Sequence, residues 1–63
     1  MLDEIDRKII RVLEKDARTS LRKISELVDV SLGTVSNRVK KMERNGVIMG
    51  YSVILNPDEI GWE

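Results

Sequence analysis

Apolar residues in the first part of the chain recur every three or four positions, which is the spacing of one face of an α-helix. In residues 1–15 this face consists of Leu2, Ile5, Ile9, Val12 and Leu13. Asp3 is suited to start the helix, because its side chain can accept a hydrogen bond from a free backbone N–H. The pattern therefore predicts a first helix over about residues 4–15.

The helical pattern breaks over residues 16–19 and then resumes after Ser20, another residue suited to begin a helix. The second apolar face is shorter and consists of Leu21, Ile24, Leu27 and Val28. We expect this second helix to end near Val28.

A third helix is predicted to begin after Ser31 and to end before Gly46, which is suited to the position just beyond a helix. Asp29 then falls at a turn that requires a positive φ, a conformation that aspartate tolerates better than most residues. About three residues separate helices two and three, which is the connection length of a helix-turn-helix. The stripe of the third helix that should face the core consists of Leu32, Val35, Val39 and Met42.

Residues 47–55 are rich in β-branched side chains and are followed by Asn56 and Pro57. This composition predicts a strand or a small wing, with Pro57 starting one further helical turn. The expected fold is mainly α: a three-helix winged helix-turn-helix with a short C-terminal β-strand or wing. We assign residues 1–55 to this domain and residues 56–63 to a linker.

The composition narrows the function classes. A chain of 63 residues without cysteine or histidine has no disulfide, no thiolate and no imidazole for a metal, and it offers no phosphate-binding glycine loop. We therefore expect no enzyme activity, no cofactor and no metal. No run approaches the roughly 20 apolar residues of a membrane span, and acids follow Met1 where a signal peptide has basic residues. These features predict a cytoplasmic protein without a membrane partner.

The net charge is zero, but the charges are unevenly distributed. Residues 1–16 carry four basic and five acidic groups, residues 17–30 three and two, residues 31–44 four and one, and residues 45–63 none and three. Positive charge is thus concentrated in the predicted third helix. A local excess of this kind matters more for a polyanionic partner than the total does.

The face of the third helix opposite its apolar stripe contains no acid. It consists of Gly33, Thr34, Asn37, Lys40, Lys41 and Arg44, with Ser36 and Arg38 on its flanks. A helix of about 14 residues is roughly 21 Å long and fits a major groove about 12 Å wide. We therefore predict that residues 32–45 form a recognition helix that binds double-stranded DNA.

Each side chain on this face suits a particular contact. Asn37 can pair with adenine, Arg38 with guanine, and Thr34 or Ser36 with either kind of base edge. The lysines and Arg44 are better placed for phosphates, and Gly33 allows close approach of the helix N-terminus. The start of helix two, near Thr19 and Lys23, can contact the phosphate backbone. The predicted DNA-binding residues are Arg18, Ser20, Arg22, Ser31, Gly33, Thr34, Ser36, Asn37, Arg38, Lys40, Lys41 and Arg44.

Three blocks of residues carry a family resemblance. They are Leu2-Asp3-x-x-Asp6-x-x-Ile9-Ile10, Val30-Ser31-x-x-x-Val35-x-x-Arg38-Val39 and Met42-Glu43-x-x-Gly46-Val47-Ile48-x-Gly50-Tyr51. With these blocks the whole chain resembles the N-terminal domain of the Lrp/AsnC, or feast/famine, transcriptional regulators. It departs from their usual pattern at Leu32-Gly33, where many relatives have proline, and at Asp29, where glycine is usual.

The resemblance implies three helices followed by a strand, and then a C-terminal α/β domain that binds effectors, often amino acids, and drives oligomerisation. No residue of this chain is assigned to effector binding. The resemblance also implies a homodimer formed through residues 47–55 and through that second domain. As a hypothesis, Ile48, Tyr51, Val53 and Leu55 form a dimer seam, and Trp62 belongs to an interface.

Two alternatives remain open from the sequence. Winged helices also serve as protein-interaction or dimerisation modules, and an exposed basic helix face is often only a solvated surface. Salt dependence distinguishes these alternatives, because binding that neutralises phosphates weakens steeply as the salt concentration rises.

Overall fold

The computed structural model describes residues 2–61 and contains four helices in that range. They are α1 (Glu4–Lys15), α2 (Leu21–Val28), α3 (Leu32–Arg44) and α4 (Pro57–Ile60). The first three pack against one another in every pairing, and α2 and α3 form the helix-turn-helix. The prediction of a mainly α, three-helix fold is confirmed.

The three long helices begin at the predicted capping residues. At α1 the caps are reciprocal, since the Asp6 N–H donates to Asp3 at 3.0 Å and the Asp3 N–H donates to Asp6 at 3.1 Å. Ser20 accepts from the Lys23 N–H at 3.0 Å, and Ser31 does the same at the start of α3. These bonds satisfy backbone donors that the first helical turn leaves free.

Two residues with positive φ shape the ends of α2 and α3. Asp29 adopts φ 64° and ψ 48° at the end of α2, as its place in the turn predicts. Gly46 has φ 76°, and beyond it the Val47 N–H returns to the Met42 carbonyl at 2.8 Å. This closing pattern satisfies the last carbonyls of α3 and turns the chain away from the helix axis.

The core lies where the three helices meet. Its buried apolar members are Ile9, Ile24, Val28, Val35, Val39 and Met42. Three leucines predicted for apolar faces are more exposed than expected: Leu21 (38%), Leu27 (58%) and Leu32 (40%). Leu21 and Leu32 are the first residues of their helices, and Leu27 lies about 80° from the midpoint of Ile24 and Val28 around α2.

The predicted strand or wing does not form within residues 47–56, which have no regular secondary structure. A strand needs a partner for its backbone groups, and the described part of the chain offers no second strand. Besides the backbone bonds of Val47 and Ile48 to Met42, Tyr51 holds this segment, since its hydroxyl donates to Glu43 of α3 at 2.8 Å.

The predicted linker begins with α4, whose Asn56 caps Pro57–Ile60. Trp62 and its predicted interface role lie outside the described residues. Within residues 2–61 no helix is both long and apolar enough to cross a membrane.

Candidate nucleic-acid interface

The turn at Asp29 presents one side of α3 to solvent while the other side packs into the core. Val35, Val39 and Met42 are buried, so the residues opposite them around the helix point outward. The exposed set consists of Gly33, Asn37, Lys40, Lys41 and Arg44. Five of the predicted contact residues therefore form one continuous outer face, about three helical turns long.

The cations on this face have no anionic partner among residues 2–61. No ion pair involves Lys40, Lys41 or Arg44 there, and Glu43, the single acid of α3, accepts the hydroxyl bond from Tyr51. The positive end of the α3 dipole lies at the same face, near Gly33. Unpaired cations and free N–H groups together favour an extended anionic partner.

The hydroxyl groups near the start of α3 are partly engaged. Ser31 Oγ accepts from the Thr34 N–H at 3.1 Å and lies 2.8 Å from Thr34 Oγ1, so the two hydroxyls share a hydrogen bond. Ser36 is half-buried on the flank. Ser31 is thus foremost a helix cap, and the Thr34 hydroxyl is held in a fixed position beside the outer face.

Arg38 lies on the other flank and is a predicted contact residue whose charge is paired within the described residues. Its Nη1 donates to Asp6 Oδ1 at 3.2 Å and, over a shorter distance, to Asp3 Oδ2. The Arg38 side chain is 30% exposed. The Arg38 guanidinium is therefore engaged by the start of α1.

The ion pair changes the ionisation of its members. The hydrogen bond from Arg38, with that from the Asp6 N–H, lowers the pKa of Asp3 from 3.8 to about 2. The bonds to Asp3 and Asp6 raise the pKa of Arg38 above its ordinary value. Asp3 and Arg38 are therefore both charged at physiological pH.

The start of α2 provides a second exposed group of predicted contacts, Arg18, Ser20 and Arg22. The first turn of α2 contains no acid, and neither arginine forms an ion pair within the described range. Thr19 donates its hydroxyl to the Asp16 carbonyl at 2.7 Å, which shapes the turn that precedes the helix. These residues form a smaller positive surface at the entrance to α2.

Three side-chain hydrogen bonds between separate parts of the chain were not predicted from the sequence. They are the bonds from Arg38 to Asp3 and Asp6 and the bond from Tyr51 to Glu43. The bonds from Arg38 left a partial signal in the sequence, because Arg38 lies on the flank of its helix and Asp3 and Asp6 lie at the start of α1. The bond from Tyr51 to Glu43 left no signal in the sequence, because it depends on how the chain turns after Gly46.

Comparisons with known proteins show the family of this fold. A family model described as winged helix-turn-helix DNA-binding matches residues 2–49. An uncharacterised HTH-type transcriptional regulator of Pyrococcus abyssi is 49% identical over 63 residues, which are 100% of this chain and 43% of that protein.

Two solved structures show the same fold. LrpC of B. subtilis is 34% identical, with a TM-score of 0.86, and the match covers 97% of this chain and 44% of that one. A transcriptional regulatory protein of Pyrococcus furiosus, a member of the AsnC family, is 40% identical, with a TM-score of 0.87 and coverage of 92% and 37%. The chain thus spans less than half the length of these relatives.

Proposed function

The chain belongs to the Lrp/AsnC family of winged helix-turn-helix DNA-binding proteins, and on this premise we propose that it binds double-stranded DNA by placing α3 in the major groove and thereby regulates transcription. The family consists of DNA-binding proteins and not of enzymes. The observation that carries the proposal is the outer face of α3, with Asn37 and three unpaired cations and without an exposed unpartnered acid.

The contacts divide by chemistry. Asn37 lies in the middle of the exposed face, where its amide can bond adenine N6 and N7. Lys40, Lys41 and Arg44 occupy the C-terminal half of α3 and are suited to phosphates, which position the protein without specifying sequence. The start of α2 contributes further phosphate contacts through Arg18 and Arg22.

The experiment that tests this proposal is fluorescence anisotropy of the chain on duplex DNA between 20 and 200 mM salt. We expect the affinity to fall steeply with salt, and the double variant Lys40→Ala/Lys41→Ala to reduce the magnitude of the log–log slope by about 2, since each phosphate contact contributes about 0.9. A matched variant, Lys8→Ala/Lys15→Ala, removes the same charge from exposed positions of α1. An equal loss of affinity in both double variants, or an affinity that does not change with salt concentration, would contradict the role of α3.

We further propose that the chain forms a homodimer through residues 47–55. This segment exposes large apolar side chains, with Met49 at 95% and Ile54 at 101% exposure. It also borders an apolar groove of about 750 Å³ that Ile10 and Leu13 of α1 line from the other side. A second copy of the same segment supplies both the missing strand partner and the apolar cover.

Sedimentation velocity tests the dimer. The wild-type chain is expected to associate as its concentration rises, and Ile54→Asp to remain monomeric, because a buried charge opposes the contact. Leu27→Asp, at an exposed leucine of α2, is the matched control and should associate like the wild type. A wild-type chain that remains monomeric at high micromolar concentration would instead favour a protein-interaction role for the segment.

The remaining proposals concern the longer protein to which the relatives correspond. The domain boundary stays at residue 55, with residues 56–63 as a linker, and an amino-acid effector is proposed only for a domain outside these 63 residues. We place the protein in the cytoplasm, together with its DNA.

A further inference from the structure

We propose that Arg38 is a positioning residue, which fixes α3 on the N-terminal cap of α1 and so sets the angle at which α3 meets DNA, and that it does not read a base. This inference rests on the proposed DNA binding by α3. It changes the role of a residue whose type and helix position predict a guanine contact.

The first step is the connection that Arg38 makes. One nitrogen, Nη1, donates to Asp3 Oδ2 and to Asp6 Oδ1, across 35 and 32 residues of sequence. These are the ion pairs found within residues 2–61. The contact therefore joins the middle of the recognition helix directly to the first turn of α1.

The second step is the rigidity of the acceptor. Asp3 and Asp6 each bond the backbone N–H of the other, so both carboxylates are fixed before Arg38 reaches them. Asp6 is 7% exposed, and a carboxylate removed from water to this degree requires charged or N–H partners. A guanidinium that bonds two such oxygens holds α3 in one orientation, because a rotation of the helix breaks both bonds.

The third step is the cost of the alternative. To contact a guanine, the Arg38 guanidinium has to leave both aspartates, and the buried Asp6 side chain then loses its cationic partner. Asp3, whose side chain is 53% exposed, also loses its cationic partner. The low pKa of Asp3, about 2, shows that the contact favours the charged pair. Arg38 thus contributes more to DNA binding by holding α3 on α1 than by contacting a base.

The test is a double-mutant cycle on duplex affinity, with Arg38→Ala and Asp3→Asn. Asparagine keeps the capping hydrogen bond of Asp3 and removes its charge. We expect Arg38→Ala to weaken binding roughly tenfold, and Asp3→Asn to add little once Arg38 is absent, because residues in one network are not additive. Arg38→Lys should recover part of the loss. Arg44→Ala with Glu4→Gln is the matched pair and should be additive.

A second measurement does not require DNA. Residual dipolar couplings of backbone amides in the free chain report the angle between α1 and α3. Arg38→Ala and Asp3→Asn should each change this angle by more than about 10°, a change sufficient to misplace a binding group, while Arg44→Ala should not. If Arg38→Ala unfolds, Asp3→Asn and Arg38→Lys provide the same comparison.

The outcomes separate the two proposals. Failure of the wild-type chain to bind duplex DNA overturns the proposed function, and the dipolar couplings still decide whether Arg38 positions α3. An unchanged angle in the variants overturns the inference. So does additivity of Arg38→Ala and Asp3→Asn on affinity, which is the behaviour of a direct base contact.

Discussion

Asp29 determines how the chain leaves α2, and it does so in a conformation that favours glycine. Its φ of 64° and ψ of 48° lie in the left-handed region, where a Cβ crowds the following carbonyl. The Asp29 N–H still bonds the Ser25 carbonyl at 2.9 Å, so the turn is well formed despite the side chain. The residue therefore carries backbone strain that its own side chain creates.

Replacing Asp29 with glycine should relieve this strain. We expect Asp29→Gly to raise the free energy of unfolding by about 0.5–1 kcal/mol. Part of this gain is offset, because glycine increases the conformational entropy of the unfolded chain. Glu26→Gly, at an exposed helical position of α2, should instead lower it by about 1 kcal/mol. Urea unfolding followed by circular dichroism measures both. A loss of stability in Asp29→Gly would show that the aspartate side chain stabilises the turn.

Gly33 separates stability from DNA binding at a single position. It lies in the first turn of α3, and a Cβ added there meets no atom within 4 Å. Gly33→Ala should therefore stabilise the chain by up to about 1 kcal/mol through helix propensity. The same methyl group should weaken duplex binding, because it stands between the helix N-terminus and a phosphate. Paired urea and anisotropy measurements test this, and unchanged affinity would remove Gly33 from the proposed contacts.

The residues that sequence predicts well are those whose role is local. Asp3, Ser20 and Ser31 cap helices, and Gly46 ends one, because each acts on backbone groups within three or four positions of itself. Arg38 is the opposite case. Its partners lie more than 30 residues away, and a side chain's type and its place on a helix do not reveal which distant acid it meets.

At the scale of elements, the contact between α1 and α3 should make the stability of the chain depend on pH in acid. The pKa of Asp3 falls from 3.8 to about 2 on folding, first because of the bond from Arg38. A depressed folded-state pKa gives stability that is present above pH 3.8 and is lost as the pH falls towards 2. The urea midpoint of the wild-type chain should therefore drop across this interval, and that of Asp3→Asn should drop less. Glu4→Gln is the control and should retain the full decrease.

Tyr51 provides the side-chain hydrogen bond between α3 and the segment that follows it. Burial raises the pKa of Tyr51 above 10.0, and the bond to Glu43 raises it further. Tyr51 is the single tyrosine, so absorbance titration of the phenol reports this contact alone. We expect Glu43→Gln to lower the measured pKa and Glu59→Gln to leave it unchanged. Equal values in wild type and Glu43→Gln would show that the segment is not attached there.

Residues 47–56 show where prediction of elements fails. Their β-branched composition predicts a strand, and side-chain composition is indeed what strand propensity measures. Whether a strand forms is decided by a partner that accepts its hydrogen bonds, and no local pattern supplies one. The three long helices need no such partner for their backbones, so the helical pattern and the capping residues predict their bounds.

At the scale of the whole molecule, the shape reflects the contrast between the three packed helices and the irregular segment that follows them. The radius of gyration is 14.0 Å, against about 11 Å for a compact domain of this length. Three helices enclose six buried apolar residues, while α4 packs against none of them. A short chain with so small a core has little stability to spare. A partner that covers the exposed apolar segment, residues 47–55, would therefore add to the stability of the fold.

If a second copy covers this segment, stability must depend on concentration. Association that favours the folded chain raises the midpoint of thermal unfolding as the protein concentration rises. We expect this increase in the wild-type chain over a hundredfold range of concentration, by calorimetry or circular dichroism, and its absence in Ile54→Asp. Leu27→Asp should retain the dependence even if its midpoint is lower, because Leu27 lies on α2 and outside the segment. A midpoint that stays constant in the wild type would mean that the core of α1, α2 and α3 alone stabilises the fold. Residues 47–55 would then bind a partner other than a second copy of the chain.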